Sequence, residues 1–261
     1  MSSAEYLTTP VLAAATGLRH GFFTRRGGVS EGPWAALNCS LSGQDDPARV
    51  RENRRLAAGA LGLPASALHG LTQVHGVAVA EVDERGWREG EGPRADAVVT
   101  RRPGVLLGIV TADCAPVLFA EPAAGVIGAA HAGWRGAVDG VIEATIGVME
   151  GLGATRSRML AAVGPCIGQA SYEVGPDLRE AVLARDPEDA RHFAPGRRED
   201  RWQFDLAGYC AARLRAAGLA VVGTADTDTL ANEQAFFSHR RRTLAGGGPI
   251  GHQLSAIGIA V

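Results

Sequence analysis

Residues 95–136 read ADAVVTRRPGVLLGIVTADCAPVLFAEPAAGVIGAAHAGWRG. Four apolar runs, Ala95 to Thr100, Val105 to Thr111, Pro116 to Ala120 and Gly125 to Ala130, are separated by Gly, Pro or charged punctuation, which is the pattern of short strands. Several runs are continuously apolar, so these strands are expected to be covered on both faces. Upstream, Val77 to Val82 reads as another strand. Pro47 to Gly62 reads as a helix, with Pro47 in its first turn, Val50, Leu56 and Leu61 apolar, and Gly62 and Pro64 ending it. Downstream, Val138 to Leu152 reads as one helix closed by Gly153, Met159 to Val163 as a buried strand, and Asp205 to Ala217 as an N-capped helix ending at Gly218. Strands are expected at Ala220 to Thr224 and Leu254 to Val261, and the polar stretch Arg185 to Arg201 reads as a loop. The mixture predicts an α/β or α+β fold with helices covering a central sheet system.

Composition narrows the function. The chain has 261 residues, 46% hydrophobic and 21% charged, enough to bury a sizeable core, and a single domain over residues 1–261 is expected. All 26 basic residues are Arg. Without lysine there is neither a Schiff-base nor a P-loop lysine, which excludes pyridoxal enzymes, lysine aldolases and ordinary Walker-A NTPases. A net charge of −2 is too balanced for a general phosphate-backbone binder, so no nucleic-acid partner is expected. Cys39, Cys114, Cys166 and Cys210 are widely spaced with no C-x-x-C, which reads as reduced thiols in a cytoplasmic protein. No basic n-region precedes the Val11 to Ala15 run and no apolar run approaches a membrane span, so neither a signal peptide nor a membrane partner is expected.

Three segments set a metal-capable or nucleophilic side chain beside a glycine or proline after an apolar run: Leu71 to Gly76 with His75, Thr111 to Pro116 with Cys114, and Ala129 to Gly136 with His131. Two imidazoles and one thiolate would make a three-ligand zinc set with a fourth position open, the stoichiometry of a catalytic site. Spacing alone leaves two other readings open. In one, Cys114 is a buried structural thiol and the two His are hydrogen-bonded. In the other, Cys114 is a nucleophile activated by His131 or His75, with Asp113 orienting an imidazole; Asp113 reads equally as a turn or capping residue.

The order of motifs adds a resemblance. Phe22-Phe-Thr-Arg-Arg-Gly-Gly-Val-Ser30, Trp34-Ala-Ala-Leu-Asn38, Glu52-Asn-Arg54, Gln73-Val-His-Gly76, Ala95-Asp-Ala97, Ala112-Asp-Cys114, His131-Ala-Gly-Trp-Arg-Gly136, Gly164-Pro-Cys-Ile-Gly168, Tyr172-Glu-Val-Gly175 and Phe236-Phe-Ser-His-Arg-Arg241 follow one another as in the laccase-domain family. That family is also called the YfiH or polyphenol oxidase family and includes purine nucleoside phosphorylases. The resemblance spans nearly the whole chain. It implies an α/β (α+β) sandwich, with central mixed β-sheets covered by helices, related to the cytotoxic-necrotizing-factor-like fold. It also implies a metal site formed by His75, Cys114 and His131, which double as the catalytic residues.

The activities implied are zinc-dependent phosphorolysis of adenosine, inosine, guanosine and methylthioadenosine, together with adenosine deamination. Copper-dependent phenol oxidation and peptidoglycan-precursor editing are the alternatives. Several copper centres need many His, and the chain has seven. Phosphorolysis needs a basic cradle, and Arg25, Arg135, Arg240 and Arg241 are the phosphate-binding candidates because guanidinium forks bind phosphate bidentately. Gln73 is a further substrate-binding candidate, whereas Asn38 reads as a buried structural amide. The expected partners are purine nucleosides and phosphate, the cofactor Zn2+ or copper, and the oligomeric state a monomer. Two departures from the family pattern stand near the end of the chain: Asp228-Thr229 where Cys-Thr is expected, and Ile250-Gly-His252 where Thr-Gly-Arg is expected.

Overall fold

The structure, a computed structural model, describes residues 3–219 and 221–260. Two sheets stack face to face. The six-stranded sheet runs in the order Val221–Thr224, Leu160–Val163, Ala115–Glu121, Val126–Ala132, Ala97–Thr100 and Val79–Glu81. The five-stranded sheet runs Tyr6–Leu7, Leu18–Phe23, Gln253–Ile259, Leu106–Thr111 and Leu68–His69. Both are mixed, with Leu160–Val163 parallel to Val221–Thr224 but antiparallel to Ala115–Glu121. A three-stranded sheet, Glu173–Val174, Trp202–Phe204 and Phe193–Pro195, stands apart from both.

Side-chain alternation along each strand explains the apolar runs. Val98, Leu118, Ile127 and Ala162 point from the six-stranded sheet into the layer between the sheets, where they meet Phe22, Leu107, Ile109 and Ile257. Their neighbours Val99, Val117, Phe119 and Ala161 point the other way, onto Ile142, Ile146 and Met149 of helix Val141–Gly151 and Tyr209 and Leu214 of helix Leu206–Ala216. The outer face of the five-stranded sheet presents Phe23, Leu106, Leu254 and Ala256 to Ala57, Ala58 and Leu61 at the helix Pro47–Ala60. The result is a mixed α/β sandwich of four layers, helix, sheet, sheet, helix. A strand inside it has no solvent face and therefore no polar alternation.

The helix Pro47–Ala60 forms where expected, with Asp46 capping its first turn through Ala48 N at 2.8 Å. Such a cap contributes about 1 kcal/mol. Two readings are corrected. The single helix expected over Val138 to Leu152 is two, Trp134–Asp139 and Val141–Gly151, broken at Gly140, whose φ of 105° is the left-handed C-cap conformation. The stretch Arg185 to Arg201 is not a plain loop: it carries the 3-10 turn Pro187–His192 and the strand Phe193–Pro195. Its polar composition concealed Phe193, which stacks on Phe204 at 4.8 Å. The expected strands at Ala220 to Thr224 and Leu254 to Val261 are observed as Val221–Thr224 and Gln253–Ile259, and Ala220 and Val261 lie outside the described residues.

Candidate active site

The chain passes from one sheet to the other between Thr111, the last residue of its strand in the five-stranded sheet, and Ala115, the first of its strand in the six-stranded sheet. Ala112, Asp113 and Cys114 make that crossing, and Asp113 takes a φ of 84° to do so. Antiparallel pairing then sets Ala115 opposite Ala132 and Pro116 opposite His131, so Cys114 and His131 share one end of the sheet. The third segment is brought in by Asp96, just ahead of the strand Ala97–Thr100. Its carboxylate accepts backbone N–H bonds from Val74 at 3.1 Å, His75 at 2.9 Å and Gly76 at 2.7 Å. His75, with a φ of 61°, is held in this turn by that single buried acid.

The structure therefore brings together the three residues predicted from separate motifs. One donor atom from each of His75, Cys114 and His131 lies within 4.8 Å of the others, and the two imidazole centroids are 4.7 Å apart. Among the described residues this is the one group of three or more His, Cys, Asp or Glu able to hold a metal.

The donor chemistry fits a metal. His131 Nδ1 lies 2.8 Å from Asp96 Oδ1, which makes Nδ1 the protonated nitrogen and leaves Nε2 free to coordinate. Burial by itself raises the Cys114 thiol, but His131 and His75 beside it outweigh burial and hold it well below a free thiol. Burial likewise opposes charge on His131, and the Cys114 and Asp96 charges overcome it and raise its pKa. For Asp96, burial is outweighed by the hydrogen bonds from His131, Gly76 and Val74, so it stays ionised. A thiolate is the form of cysteine that zinc or cuprous copper binds, and a cation bound there would take the place of the proton that the raised pKa keeps on His131 Nε2.

Packing keeps this point small. A Cβ at Gly133 would come 3.1 Å from His75 Cδ2 and 3.2 Å from Cys114 Sγ, and one at Gly136 would come 3.0 Å from the Gly76 carbonyl. The two glycines of His131-Ala-Gly-Trp-Arg-Gly136 thus allow the His75 and Cys114 segments to approach.

The three donors open into a cleft of about 410 Å3, lined also by Gln73, Asp113, Arg135, Tyr172, His239, Arg240 and His252. Of the four candidate phosphate-binding arginines, Arg135 and Arg240 reach it. Arg135 stacks on Trp134 with its guanidinium carbon 4.3 Å from the ring centroid, and Arg240 lies over Tyr172 while donating to the Glu173 carbonyl at 3.0 Å. Arg25 and Arg241 lie outside. Arg25 donates to the carbonyls of Ala35 and Glu233, and Arg241 to those of Phe236, Thr229 and Leu230, so both tie backbone segments together. Gln73 lines the cleft, but its amide exchanges two bonds of 2.8 Å with the Val110 backbone.

Of its two readings, Asp113 takes the turn and capping role and does not orient an imidazole. It accepts from Thr229 Oγ1 at 2.6 Å, Ser238 Oγ at 2.9 Å and Arg240 N at 2.6 Å, and so anchors the Phe236 to Arg241 segment to the ligand-bearing crossing. Asn38 is fully buried and bonds Asp45, Ser40 and His252, as a structural amide.

Sequence reasoning gave Asp96 no role. A signal was present, since an acid inside the run Ala95 to Thr100 has to be buried and a buried carboxylate needs several partners. His252, singled out only as a departure, lines the cleft with its Nδ1 buried and without a partner among the described residues. Burial, reinforced by His131, His239 and Arg242, brings its pKa down to about 4, so it is a neutral imidazole at pH 7.

The class the geometry defines is a mixed α/β sandwich with one His-Cys-His group able to hold a metal, among the described residues, at the mouth of a cleft. The comparisons agree on the family. Residues 19–260 match the family described as "Multi-copper polyphenol oxidoreductase laccase", and the chain belongs to that family. It is 44% identical over 249 residues to a purine nucleoside phosphorylase of Deinococcus radiodurans, covering 92% of this chain and 88% of that one. It is 35% identical over 223 residues to the purine nucleoside phosphorylase YfiH of Escherichia coli, covering 85% and 88%. Among solved structures, a Neisseria meningitidis protein superposes with a TM-score of 0.84 at 32% identity over 99% of this chain and 98% of that one. YlmD of Geobacillus stearothermophilus gives 0.84 at 29% identity over the full length of both. No helix among the described residues is long and apolar enough to cross a membrane.

Proposed function

We propose that the chain is a zinc-dependent purine nucleoside phosphorylase acting on adenosine, inosine, guanosine and methylthioadenosine, with adenosine deamination as a second activity. The observation that carries the reading is a single metal-capable triad at the mouth of a cleft edged by Arg135 and Arg240, in a chain whose relatives are named phosphorylases. His75, Cys114 and His131 would hold the ion, which when bound supplies Lewis acidity at its open position.

In phosphorolysis a phosphate oxygen bonds to the anomeric carbon of the sugar. The glycosidic C–N bond breaks with its electron pair going to the purine, and the purine takes up a proton. Arg135 and Arg240, held against aromatic faces, draw the anion toward the cleft and limit its freedom. Tyr172, His239 and His252 line the same cleft and offer hydrogen bonds to the purine and sugar. Deamination needs a proton carrier, and the one carboxylate among the lining residues, Asp113, already has both oxygens engaged. His239 or His252 is left for that role.

The family description favours a second reading, copper-dependent phenol oxidation, and one experiment separates the two. Metal content is measured on protein purified without added metal, and products are measured from inosine with and without phosphate. The phosphorylase reading expects zinc, and hypoxanthine with ribose 1-phosphate only when phosphate is present. Release of no base from adenosine, inosine or methylthioadenosine by the zinc-loaded protein, with phenol oxidation by the copper-loaded one, would sink it.

A further inference from the structure

A second cavity, of about 330 Å3, adjoins the metal cleft and shares Ser40, Ser42, Gln73 and Val110 with it. Gln73 stands where the two meet, held there by the bonds of its amide to Val110. On the far side lies Arg54, only 4% exposed. Its Nε donates to Glu89 Oε1 at 2.6 Å and its Nη1 to the Cys39 carbonyl at 3.3 Å, while Nη2 has no partner among the described residues. A buried guanidinium nitrogen without an acceptor is costly, so its persistence points to an acceptor that completes it.

The surroundings define that acceptor. Glu89 is shared between Arg54 and Arg51, whose Nε is 3.8 Å away, so one carboxylate balances two guanidinium groups. No acid among the described residues lines the cavity, whereas Ser40 and Ser42, whose hydroxyls are 3.2 Å apart, do. Gly70 packs against the guanidinium at the cavity wall: a Cβ there would stand 3.4 Å from Nη2. A residual positive charge, a free N–H donor and two hydroxyls in a space of this size suit a tetrahedral oxyanion.

We infer that this cavity seats inorganic phosphate, with Arg54 as its guanidinium and Ser40 and Ser42 as its hydroxyl donors, beside the nucleoside in the metal cleft. The inference rests on the phosphorolysis reading for the identity of the anion. It differs from the sequence expectation, in which Arg25, Arg135, Arg240 and Arg241 held the phosphate. Here Arg135 and Arg240 attract the ion, and Arg54 fixes it.

The test titrates metal-loaded protein with inorganic phosphate in the absence of nucleoside, for the wild type, Arg54→Gln and Ser42→Ala. Crystals soaked in phosphate accompany the titration. Expected are one phosphate per chain on Arg54, about tenfold or greater weakening in Arg54→Gln, and roughly two- to fivefold weakening in Ser42→Ala. In turnover, the KM for phosphate rises by about tenfold or more in Arg54→Gln while the KM for inosine moves less than about threefold. If Arg54→Gln fails to fold, Arg54→Lys and Ser42→Ala carry the same comparison.

Phosphate found against Arg135 and Arg240 in the metal cleft, no binding by the wild type, or unchanged affinity in folded Arg54 variants overturns the inference. The two readings fail separately. Arg54-dependent phosphate binding without base release refutes phosphorolysis and leaves the anion seat standing. Phosphorolysis with a phosphate KM indifferent to Arg54 refutes the seat alone.

Discussion

Replacing Asp96 by asparagine tests how the site is assembled, because the side chain keeps its shape and loses one acceptor. The buried carboxylate receives four N–H donors: His131 Nδ1 and His75 N on Oδ1, and Val74 N and Gly76 N on Oδ2. An amide presents one oxygen and one NH2 group, so either orientation sets two of the four donors against another donor. Two unsatisfied donors at about 1–3 kcal/mol each, with weaker bonds at the remaining neutral oxygen, give a loss of about 3–6 kcal/mol. That is a large share of the roughly 5–15 kcal/mol that holds a domain folded. Metal affinity should fall about 10- to 100-fold as well, because the His131 tautomer and the His75 turn both lose their support. Urea denaturation of metal-free protein measures the first effect and chelator competition the second. An Asp96→Asn variant within about 1 kcal/mol of wild type, with metal affinity within about threefold, would refute this account.

Other expectations follow from the same geometry. Gly133→Ala keeps an allowed backbone at φ −64° but sets a Cβ against both His75 and Cys114, so stability should change by less than about 1 kcal/mol while metal affinity drops about tenfold; native affinity would contradict the packing argument. Arg25→Ala should lose about 1–3 kcal/mol of stability with the phosphate KM unchanged, and Arg240→Ala should chiefly impair substrate use; the reverse pattern in steady-state kinetics and melting would place Arg25 in the substrate cleft. His20 is buried, accepts a bond from Thr9 N at 2.9 Å, and burial brings its pKa from 6.5 down to about 4. Its neutral form therefore stabilises the fold fully above pH 6.5, and that contribution is lost as pH falls from 6.5 toward 4. Melting temperatures of His20→Gln should decline less steeply across that window than those of the wild type, and parallel curves would exclude this role.

How far the sequence can be read depends on whether a feature is local. The strands at Ala97–Thr100, Leu106–Thr111, Ala115–Glu121 and Val126–Ala132 are legible because a doubly covered strand is apolar throughout and each is bounded by glycine, proline or charge. The break at Gly140 was harder to see, since a single glycine is compatible with one helix or two until its φ is known. For the site, His75, Cys114 and His131 could be named from their motifs. Their convergence depends on the register that sets Pro116 opposite His131 and on the crossing at Ala112 to Cys114, and neither has a periodic signature. The arginines show the same limit. Nothing local distinguishes Arg25, which closes two backbone carbonyls, from Arg240, which reaches the cleft, and Arg54 is isolated from its helix neighbours only by burial.

Two aspartates explain why such distant segments hold one geometry. Asp96 joins the His75 turn to His131, and Asp113 joins the Cys114 crossing to the Phe236 to Arg241 segment that delivers Arg240 and His239 to the cleft. Each replaces a continuous secondary-structure element with a buried carboxylate that gathers N–H and O–H donors from parts of the chain remote in sequence. A carboxylate suits this position because it accepts several bonds without donating any, so a turn with unsatisfied N–H groups can close on it. The arrangement also separates the demands on the two acids. The Asp96 charge supports His131 and through it the thiolate of Cys114, whereas Asp113 fixes the cleft-lining segment relative to the same thiolate. The metal-capable group and the cleft-facing segment are thereby both tied to the crossing at Cys114, although they lie more than a hundred residues apart in sequence.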